Sequence, residues 1–547
     1  MIRVLWVMIY AAGLAAIVLG VRYTLHMFQQ GSYQYRSYWR YMKTHLTAVL
    51  LPFTGVIPLL AFSVLYGQQM NRARISSLPP MVVSQELSGR MTPGYAAVLV
   101  LELFYLLLLL LLYRPRTAKK KLVYTARVKR LIGTTAVLYA LAVLAVYLLT
   151  GLLWWPLFVL LGLGAMLSPY VVLLANLLNR PMEKGINRHY IRDARRMLKA
   201  CPDLKIIGIT GSYGKTSVKY YLHTLLSAQY DVLMTPESFN TPMGVVRTIR
   251  GSLKATHEIF LCEMGARHVG DIKEICDIVD PQIGVITSLG YQHLETFKSL
   301  DNIVGTKKEL FDALPAGGPR FVNGDNEYVK QYRVDQGAIT YGLEEGNAYR
   351  ACDLEYSEKG TRFTVQAPDG SREEFTTGLL GEHNVINITG AIAVSHELGI
   401  PLDKLKIPVR RLEGAPHRLQ PIAKGNIIII DDAYNSNPNG AHMALKTLGM
   451  FKGVRVLVTP GMVELGEQED HYNYEFGKEA AQYCDYIVPV GRRQTESIQR
   501  GVLDTDFDRE HFYVAEDLQD AMNYVYGILT NQKLIVLLEN DLPDNYL

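Results

Sequence analysis

Seven consecutive residues, Thr210-Gly211-Ser212-Tyr213-Gly214-Lys215-Thr216, have the types and spacing of a phosphate-binding turn. They follow an apolar run, Leu204 to Ile209, and lead into a segment where Val218, Tyr221, Leu222 and Leu225 recur at helical spacing. Strand, glycine-rich turn and helix in that order let backbone N–H groups converge on an anion, and the helix N-terminus adds positive potential. Lys215 is placed to reach terminal phosphates, and the Thr216 hydroxyl to ligate Mg²⁺. The eight-residue form of the motif is incomplete, because Ile209 occupies its first glycine position. An ordinary strand–turn–helix corner with a surface lysine would also fit these residues, so groups further along must decide. Glu263 ends the run Ile259-Phe260-Leu261-Cys262, and His293 follows the strand candidate Ile283–Thr287. The C-terminal ends of parallel strands share one edge of a sheet. Both side chains would therefore reach the phosphates, where Mg²⁺ takes oxygen ligands and tolerates an imidazole.

The elements that must position these groups alternate along the chain. Strand candidates Ile206–Thr210, Ile259–Glu263, Ile283–Thr287 and Phe321–Asn323 are separated by helical patterns, which predicts a mostly parallel sheet covered by helices. Residues 338–378 are more polar and strand-like, suggesting an antiparallel appendage, and a helix over Val385–Leu398 closes at Gly399. A second set begins after Leu412, with Ile427–Asp431, Val454–Val458, Tyr486–Val490, Phe512–Val514 and Leu534–Leu538. Pro408, Gly414 and Pro416 mark a boundary between the two sets.

The front of the chain differs in kind. Residues 1–199 carry 23 Lys and Arg against four acids, whereas the remainder of the 547 residues is acidic overall. Five apolar stretches, at about 4–22, 45–67, 95–113, 132–152 and 156–178, reach the roughly 20 residues that a membrane span needs. The cations between Arg114 and Arg130 place that loop on the cytoplasmic side, so five crossings would leave everything after Asn179 in the cytoplasm. Glu102 falls inside the third stretch, as a functional carboxylate or a residue near the outer interface. Arg180 to Lys199 is basic with helical spacing, which suits a helix on anionic lipid or an ordinary solvated linker. The cysteines (Cys201, Cys262, Cys276, Cys352, Cys484) are odd in number and form no CxxC pair, as expected of reduced structural thiols.

Beyond the phosphate turn, the chain resembles the Mur ligase family of ATP-dependent amide-bond ligases, and within it the MurF-type D-alanyl-D-alanine-adding branch. The stretches that carry the resemblance run in order from Gly208 to Thr216, Asn240 to Val245, Glu263 to Ala266, His293 to Glu295 and Lys307 to Phe311. They continue with Gly381 to Asn387, His417-Arg418, Asp431 to Pro438 and Gly461 to Gly466. The resemblance implies that ATP phosphorylates a carboxylate and that a free amine then attacks the acyl phosphate, with two Mg²⁺ ions neutralising charge. It implies that Thr210, Gly211, Ser212, Tyr213, Gly214 and Lys215 cradle the phosphates, that Thr216 and Glu263 hold one metal, and that His293 holds the other. Lys307 matches a lysine that CO₂ converts to a carbamate beside the second metal, with Lys308 as the fallback. Asn384 and Asn387 match adenine-side contacts, Arg418 and Asp432 match phosphate and ribose contacts, and Asn435 and Asn437 match the ATP and amine end. The groups implied as catalytic are Lys215, His293, Lys307 and Asp432.

Three departures bear on the substrates. The apolar stretches occupy the place of the family's UDP-sugar-binding domain, Gly461 replaces an acid before Met462, and Leu538-Glu539-Asn540 stands where the branch often has Lys-Gly-Ser. The expected architecture is a membrane α-helical segment plus α/β. It comprises a transmembrane module over 1–179, a basic linker helix over 180–200, a P-loop-containing Mur-type central ATPase domain over 201–410, and a Rossmann-like C-terminal ligase domain over 411–547. The expected function is a multi-pass, membrane-integral ligase of cell-envelope and peptidoglycan biosynthesis. It would add an amino acid or dipeptide to a lipid-linked or polymeric carboxylate, with membrane lipids but no nucleic acid as partners. The alternatives are a MurF-type ligase acting on a soluble UDP-muropeptide and, from another class, an ATP-driven transporter.

Overall fold

Alternating β-branched runs and amphipathic segments become two parallel-rich sheets in the computed structural model of the chain. It describes residues 2–31, 33–35, 38–39, 93–112, 121–150 and 154–541, apart from 238, 358–359, 380, 415–418, 434–435 and 464. Two compact units divide at Ile186/Asn187.

The first unit is helical, with α1 (Ile2–Gln30), α2 (Pro93–Leu112), α3 (Ala126–Thr150) and the front of α4 (Trp154–Lys199). Arg130 binds Glu183 through two hydrogen bonds of 2.7 and 2.9 Å, and Thr134 donates to Asn179 Oδ1 at 2.8 Å, joining α3 to α4. Glu102 is buried in α2, and neither of its carboxylate oxygens has a hydrogen-bond partner. It therefore lies inside the unit rather than at an exposed helix end. Among the described residues two helices are long and apolar enough to cross a membrane, Val7–Gln30 and Ala126–Leu149. That corrects the expectation of five spans. The stretch 45–67 lies outside the described residues.

In the second unit the end of α4 packs Tyr190, Ile191, Ala194, Met197 and Leu198 into the α/β core. Asp193 also pairs with Arg250 at 2.7 Å. Its apolar side faces protein, which corrects the expectation of a helix laid on lipid. The first sheet contains β1 (Lys205–Thr210), β2 (Val232–Met234), β3 (Ile259–Glu263), β4 (Ile283–Ile286) and β5 (Arg320–Asn323). It continues with β6 (Ile339–Gly342), β7 (Tyr349–Ser357), β8 (Gly360–Gln366) and β9 (Arg372–Thr377), in the order β2-β3-β1-β4-β5-β6-β7-β8-β9. Pairing is parallel from β2 to β7, so β6 extends the parallel part and only β7-β8-β9 form the antiparallel appendage.

Both faces are covered, as a parallel sheet requires. Helices α5 (Lys215–Leu226), α9 (Glu382–Glu397) and α10 (Leu402–Arg410) fill one face with Leu222, Leu225, Ile388, Ile392 and Leu405. Helices α6 (Pro242–Ser252), α7 (Asp271–Val279) and α8 (Leu300–Asp312) fill the other with Val246, Ile249, Ile275, Val304 and Leu310. The second sheet comprises β10 (Gln420–Lys424), β11 (Ile427–Asp432), β12 (Val454–Thr459), β13 (Tyr486–Pro489) and β14 (Leu534–Glu539), ordered β10-β11-β14-β12-β13. Only the edge strand β10 is antiparallel. Helices α11 (Pro438–Gly449), α12 (Glu469–Tyr483) and α13 (Glu496–Leu503) pack on one face of it, and α14 (Leu518–Tyr526) on the other. The strand expected at Phe512–Val514 is reduced to single bridges, Ile487 to Phe512 and Val490 to Ala515.

Candidate nucleotide and metal site

The site forms where β1, β3 and β4 end. Gly211 leaves β1 at φ 150°, and a Cβ there would lie 2.1 Å from Thr287 Oγ1. Gly214 caps α5 at φ 78°, where a Cβ would come within 2.8 Å of Asn387 Oδ1. Close approach at both positions demands glycine. No side chain caps the N-terminus of α5, so its first N–H groups remain available to an anion.

The loop after β4 serves as a shelf for this turn. Ser212 N donates to Ser288 O at 2.6 Å, Ser212 Oγ to Gly290 O at 2.9 Å, and Tyr213 Oη to Tyr291 O at 2.7 Å. Asn326 holds the shelf from behind, its Nδ2 donating to Leu289 O at 3.0 Å. Burial pushes the Tyr213 phenol far above its usual range, so it is a neutral donor. Lys215 Nζ folds back onto Gly211 O at 2.6 Å and Ser212 O at 3.0 Å. His293 sits two residues past Tyr291 in left-handed backbone, φ 50°, at the start of the turn Leu294–Phe297.

Glu263 ends β3 with its side chain buried. Its Oε1 accepts from Thr216 Oγ1 and from Asn240 Nδ2, each at 3.1 Å. Lys219 Nζ stands 3.0 Å from Oε2 as an ion pair without hydrogen-bond geometry, so Oε2 has a countercharge but no donor. A hydroxyl and an incompletely satisfied carboxylate beside a phosphate turn suit Mg²⁺, which prefers oxygen and shares its ligands with substrate phosphates. Among the described residues no group of three or more His, Cys, Asp or Glu forms an all-protein metal cage. Lys307, on α8, is buried, and burial together with the charge of Lys215 holds its amine well below the usual lysine range. Asp271, Glu309 and Glu263 act on it in the opposite sense. Lys308 is only partly buried.

From the other face, α9 presents Asn384 and Asn387. Tyr221 donates to Asn384 Oδ1 at 2.7 Å, and Asn387 lies against Gly214. Between them and Gly381, His383 is pushed down to about 4 by burial, and its Nδ1 has no hydrogen-bond partner. In the C-terminal domain, Asp432 Oδ1 accepts from Leu419 N at 3.2 Å, and Asn437 spends its side chain capping α11 through Gly440 N at 2.8 Å. Arg418 and Asn435 lie outside the described residues. The structure thus gathers the phosphate turn, Glu263, Lys307 and Asn387, and places Asp432 at the C-terminal end of β11 and Asn437 at the N-cap of α11. The sequence expectations gave no role to Lys219, to Asn240 or to the Ser288–Tyr291 shelf. Lys219 carried a readable signal, since it lies one helical turn after Lys215 on a segment whose other inward residues are apolar.

A phosphate turn with a metal-competent acid on one α/β domain, followed by a second parallel-rich domain, defines a two-domain nucleotide-dependent enzyme. Residues 209–395 match the Mur ligase middle domain and residues 417–538 the Mur ligase glutamate ligase domain. The chain is 30% identical over 332 residues to UDP-N-acetylmuramoyl-tripeptide–D-alanyl-D-alanine ligase of Escherichia coli K12, covering 58% of this chain and 73% of the relative. The ligase of that name from Bacillus subtilis 168 is 33% identical, covering 58% and 70%. A crystal structure of MurF from Acinetobacter baumannii superposes with TM-score 0.59 at 25% identity, over 65% of this chain and 77% of that one. MurF of Thermotoga maritima in complex with ADP gives 0.58 at 25%, over 65% and 80%. The chain belongs to the Mur ligase family and is an ATP-dependent ligase.

These relatives also correct the expected substrate. Those matched over most of their length are named for a UDP-linked acceptor, not a lipid-linked or polymeric one. With two candidate spans among the described residues rather than five, the multi-pass, membrane-integral assignment and its lipid partners are withdrawn.

Proposed function

We propose that the chain performs MurF-type ligation, joining the amine of D-alanyl-D-alanine to the carboxylate of a UDP-N-acetylmuramoyl-tripeptide at the expense of ATP. The observation that carries this is the packing of Glu263 against Thr216 at the mouth of a turn whose helix N-terminus is uncapped. The names of the relatives supply the substrates. ATP donates its γ-phosphoryl to the carboxylate, giving an acyl phosphate and ADP. The amine then attacks the acyl carbon, phosphate leaves, and the amine's proton passes to solvent or a nearby base.

The residues divide this work. The N–H groups at the start of α5, from Gly214 to Thr216, bind the phosphates, and Lys215 exchanges its turn carbonyls for phosphate oxygens, following charge as it moves to the leaving group. Thr216 and Glu263 would hold one Mg²⁺, and His293 with Lys307 a second; the ions supply charge neutralisation between carboxylate and phosphate. Burial that lowers the basicity of Lys307 favours the free amine, and a free amine can add CO₂ and release a proton to become an anion, which supports a carbamate at Lys307. The resemblance assigns Asn384 and Asn387 to the adenine side, Arg418 and Asp432 to phosphate and ribose, and Asn435 and Asn437 to the ATP and amine end of the reaction. The proposed parts are a helical segment over 1–179, a linker helix over 180–200, a P-loop-type central domain over 201–410 and a Rossmann-like C-terminal domain over 411–547.

The test is incubation of the full chain with ATP, Mg²⁺, D-alanyl-D-alanine and UDP-N-acetylmuramoyl-tripeptide, with the product read by mass and phosphate release. Equal phosphate release with and without either substrate, and no ligated product, would overturn the proposal.

A further inference from the structure

The most heavily enclosed charge in the nucleotide-binding domain has no part in the chemistry above. Lys219 is fully buried on α5, with Nζ 3.0 Å from Glu263 Oε2. The same ammonium donates to Glu237 O, in the loop between β2 and α6. Glu237 holds left-handed backbone, φ 44°. That loop returns to the acid twice: Glu263 N donates to Thr235 Oγ1 at 3.1 Å, and Asn240 Nδ2 donates to Glu263 Oε1 at 3.1 Å. One ammonium therefore ties the phosphate-turn helix, the end of β3 and the β2–α6 loop to a single carboxylate.

An ammonium 3 Å from a buried carboxylate satisfies it electrostatically and repels any second cation that approaches it. Thr216 and Glu263 are then a poor site for a free divalent ion, because the local charge is already balanced. Nucleotide phosphates change that balance by bringing negative charge to the open side of the same carboxylate. We infer that Lys219 is a positioning residue that makes divalent-metal binding at Glu263 conditional on nucleotide, holding the carboxylate in place while denying it to metal alone. This rests on the proposed role of Glu263 as a metal ligand. By linkage, the factor by which ADP tightens metal equals the factor by which metal tightens ADP, so Lys219 governs both.

The experiment is Mn²⁺ binding to the full chain, followed by the spectrum of the free ion, without and with saturating ADP. Wild type should bind Mn²⁺ weakly alone and far more tightly with ADP. In Lys219→Met the metal alone should bind about tenfold tighter or more, with the ADP-dependent gain reduced by a similar factor. Lys219→Arg keeps the charge and should stay near wild type. Because Lys219→Met leaves a buried acid unpaired, thermal unfolding checks that the variant is folded. Lys219→Gln, which can still donate to Glu237 O, is the second neutral variant. A folded Met or Gln variant with the wild-type affinity for Mn²⁺ alone overturns the inference. Wild type whose Mn²⁺ affinity ignores ADP overturns the metal–nucleotide reading of Glu263 itself, a different result from the first.

Discussion

Lys215 and Lys307 illustrate two uses of one side chain. Lys215 is half open and donates to the carbonyls of Gly211 and Ser212 in its own turn, which places its charge at the phosphate turn. Lys215→Ala should lower the rate of product formation by about 100-fold or more, the scale of losing a charge aimed at a transition state, while thermal unfolding stays near wild type. A turnover close to normal would remove the turn from the mechanism. Lys307 is enclosed, and burial holds its amine well below the usual lysine range. Lys307→Ala should abolish ligation while Lys308→Ala keeps most of it; the reverse pattern would move the assignment by one residue.

Glu539 is a third case. Ser436 Oγ and Thr459 Oγ1 donate to its two oxygens, the latter at 2.8 Å, and burial raises it from 4.5 to about 7 with Asp432 adding to the rise. Its folded value lies above its unfolded one, so its contribution to stability is complete below about 4.5 and is lost as pH rises through 7. The loss is on the order of 3 kcal/mol. Denaturant titrations should show Glu539→Gln gaining on wild type between pH 5 and pH 8. A gap that does not change with pH would show that Glu539 does not titrate there.

The elements explain why the site was legible and where it was not. Strands β1, β3 and β4 are short apolar runs ending in turn residues, and their chemistry lies at one end, so Thr216 and Glu263 could be brought together from the sequence. Helix α5 was legible for the same reason: Val218, Tyr221, Leu222 and Leu225 define its inner face. Leu222 is fully buried there, and Leu222→Ala should cost roughly 2–5 kcal/mol in denaturant unfolding while the folded fraction keeps its ADP affinity. A loss of affinity without loss of stability would mean that the helix face, not only its first turn, shapes the site. For Lys219 the inward position was readable from its helical spacing, but not its role, because its partners Glu263 and Glu237 lie far away in sequence. The shelf under Tyr213 was hidden for another reason. It is made of main-chain carbonyls of Ser288, Gly290 and Tyr291, whose side chains reveal nothing about the hydrogen bonds those carbonyls accept. The basic end of α4 misled in the opposite way, since the sequence showed its arginines at helical spacing but not the protein core that takes up its apolar residues.

At the scale of the molecule, the cores of the two sheets lie within one compact unit. The unit from Asn187 onward contains both sheets and their cores, and the family matches begin at residue 209. A chain beginning at Asn187 should therefore fold and bind ADP within a few-fold of the full chain, measured by calorimetry. Failure to bind while soluble and folded would mean that residues 1–186 complete the nucleotide site.

The strand order of the second sheet also bears on how the protein is made. Strand β14 lies between β11 and β12 and is hydrogen-bonded to both, yet it is the last of the strands to leave the ribosome. Until Leu534–Glu539 emerges, β10-β11 and β12-β13 are two ribbons with nothing between them, each exposing an unpaired edge of isoleucine, valine and leucine. Such edges recruit other strands, so a nascent chain paused shortly before residue 534 is in its most vulnerable state during synthesis. The central nucleotide-binding domain, complete by then, can already be folded beside a partner that has no sheet of its own.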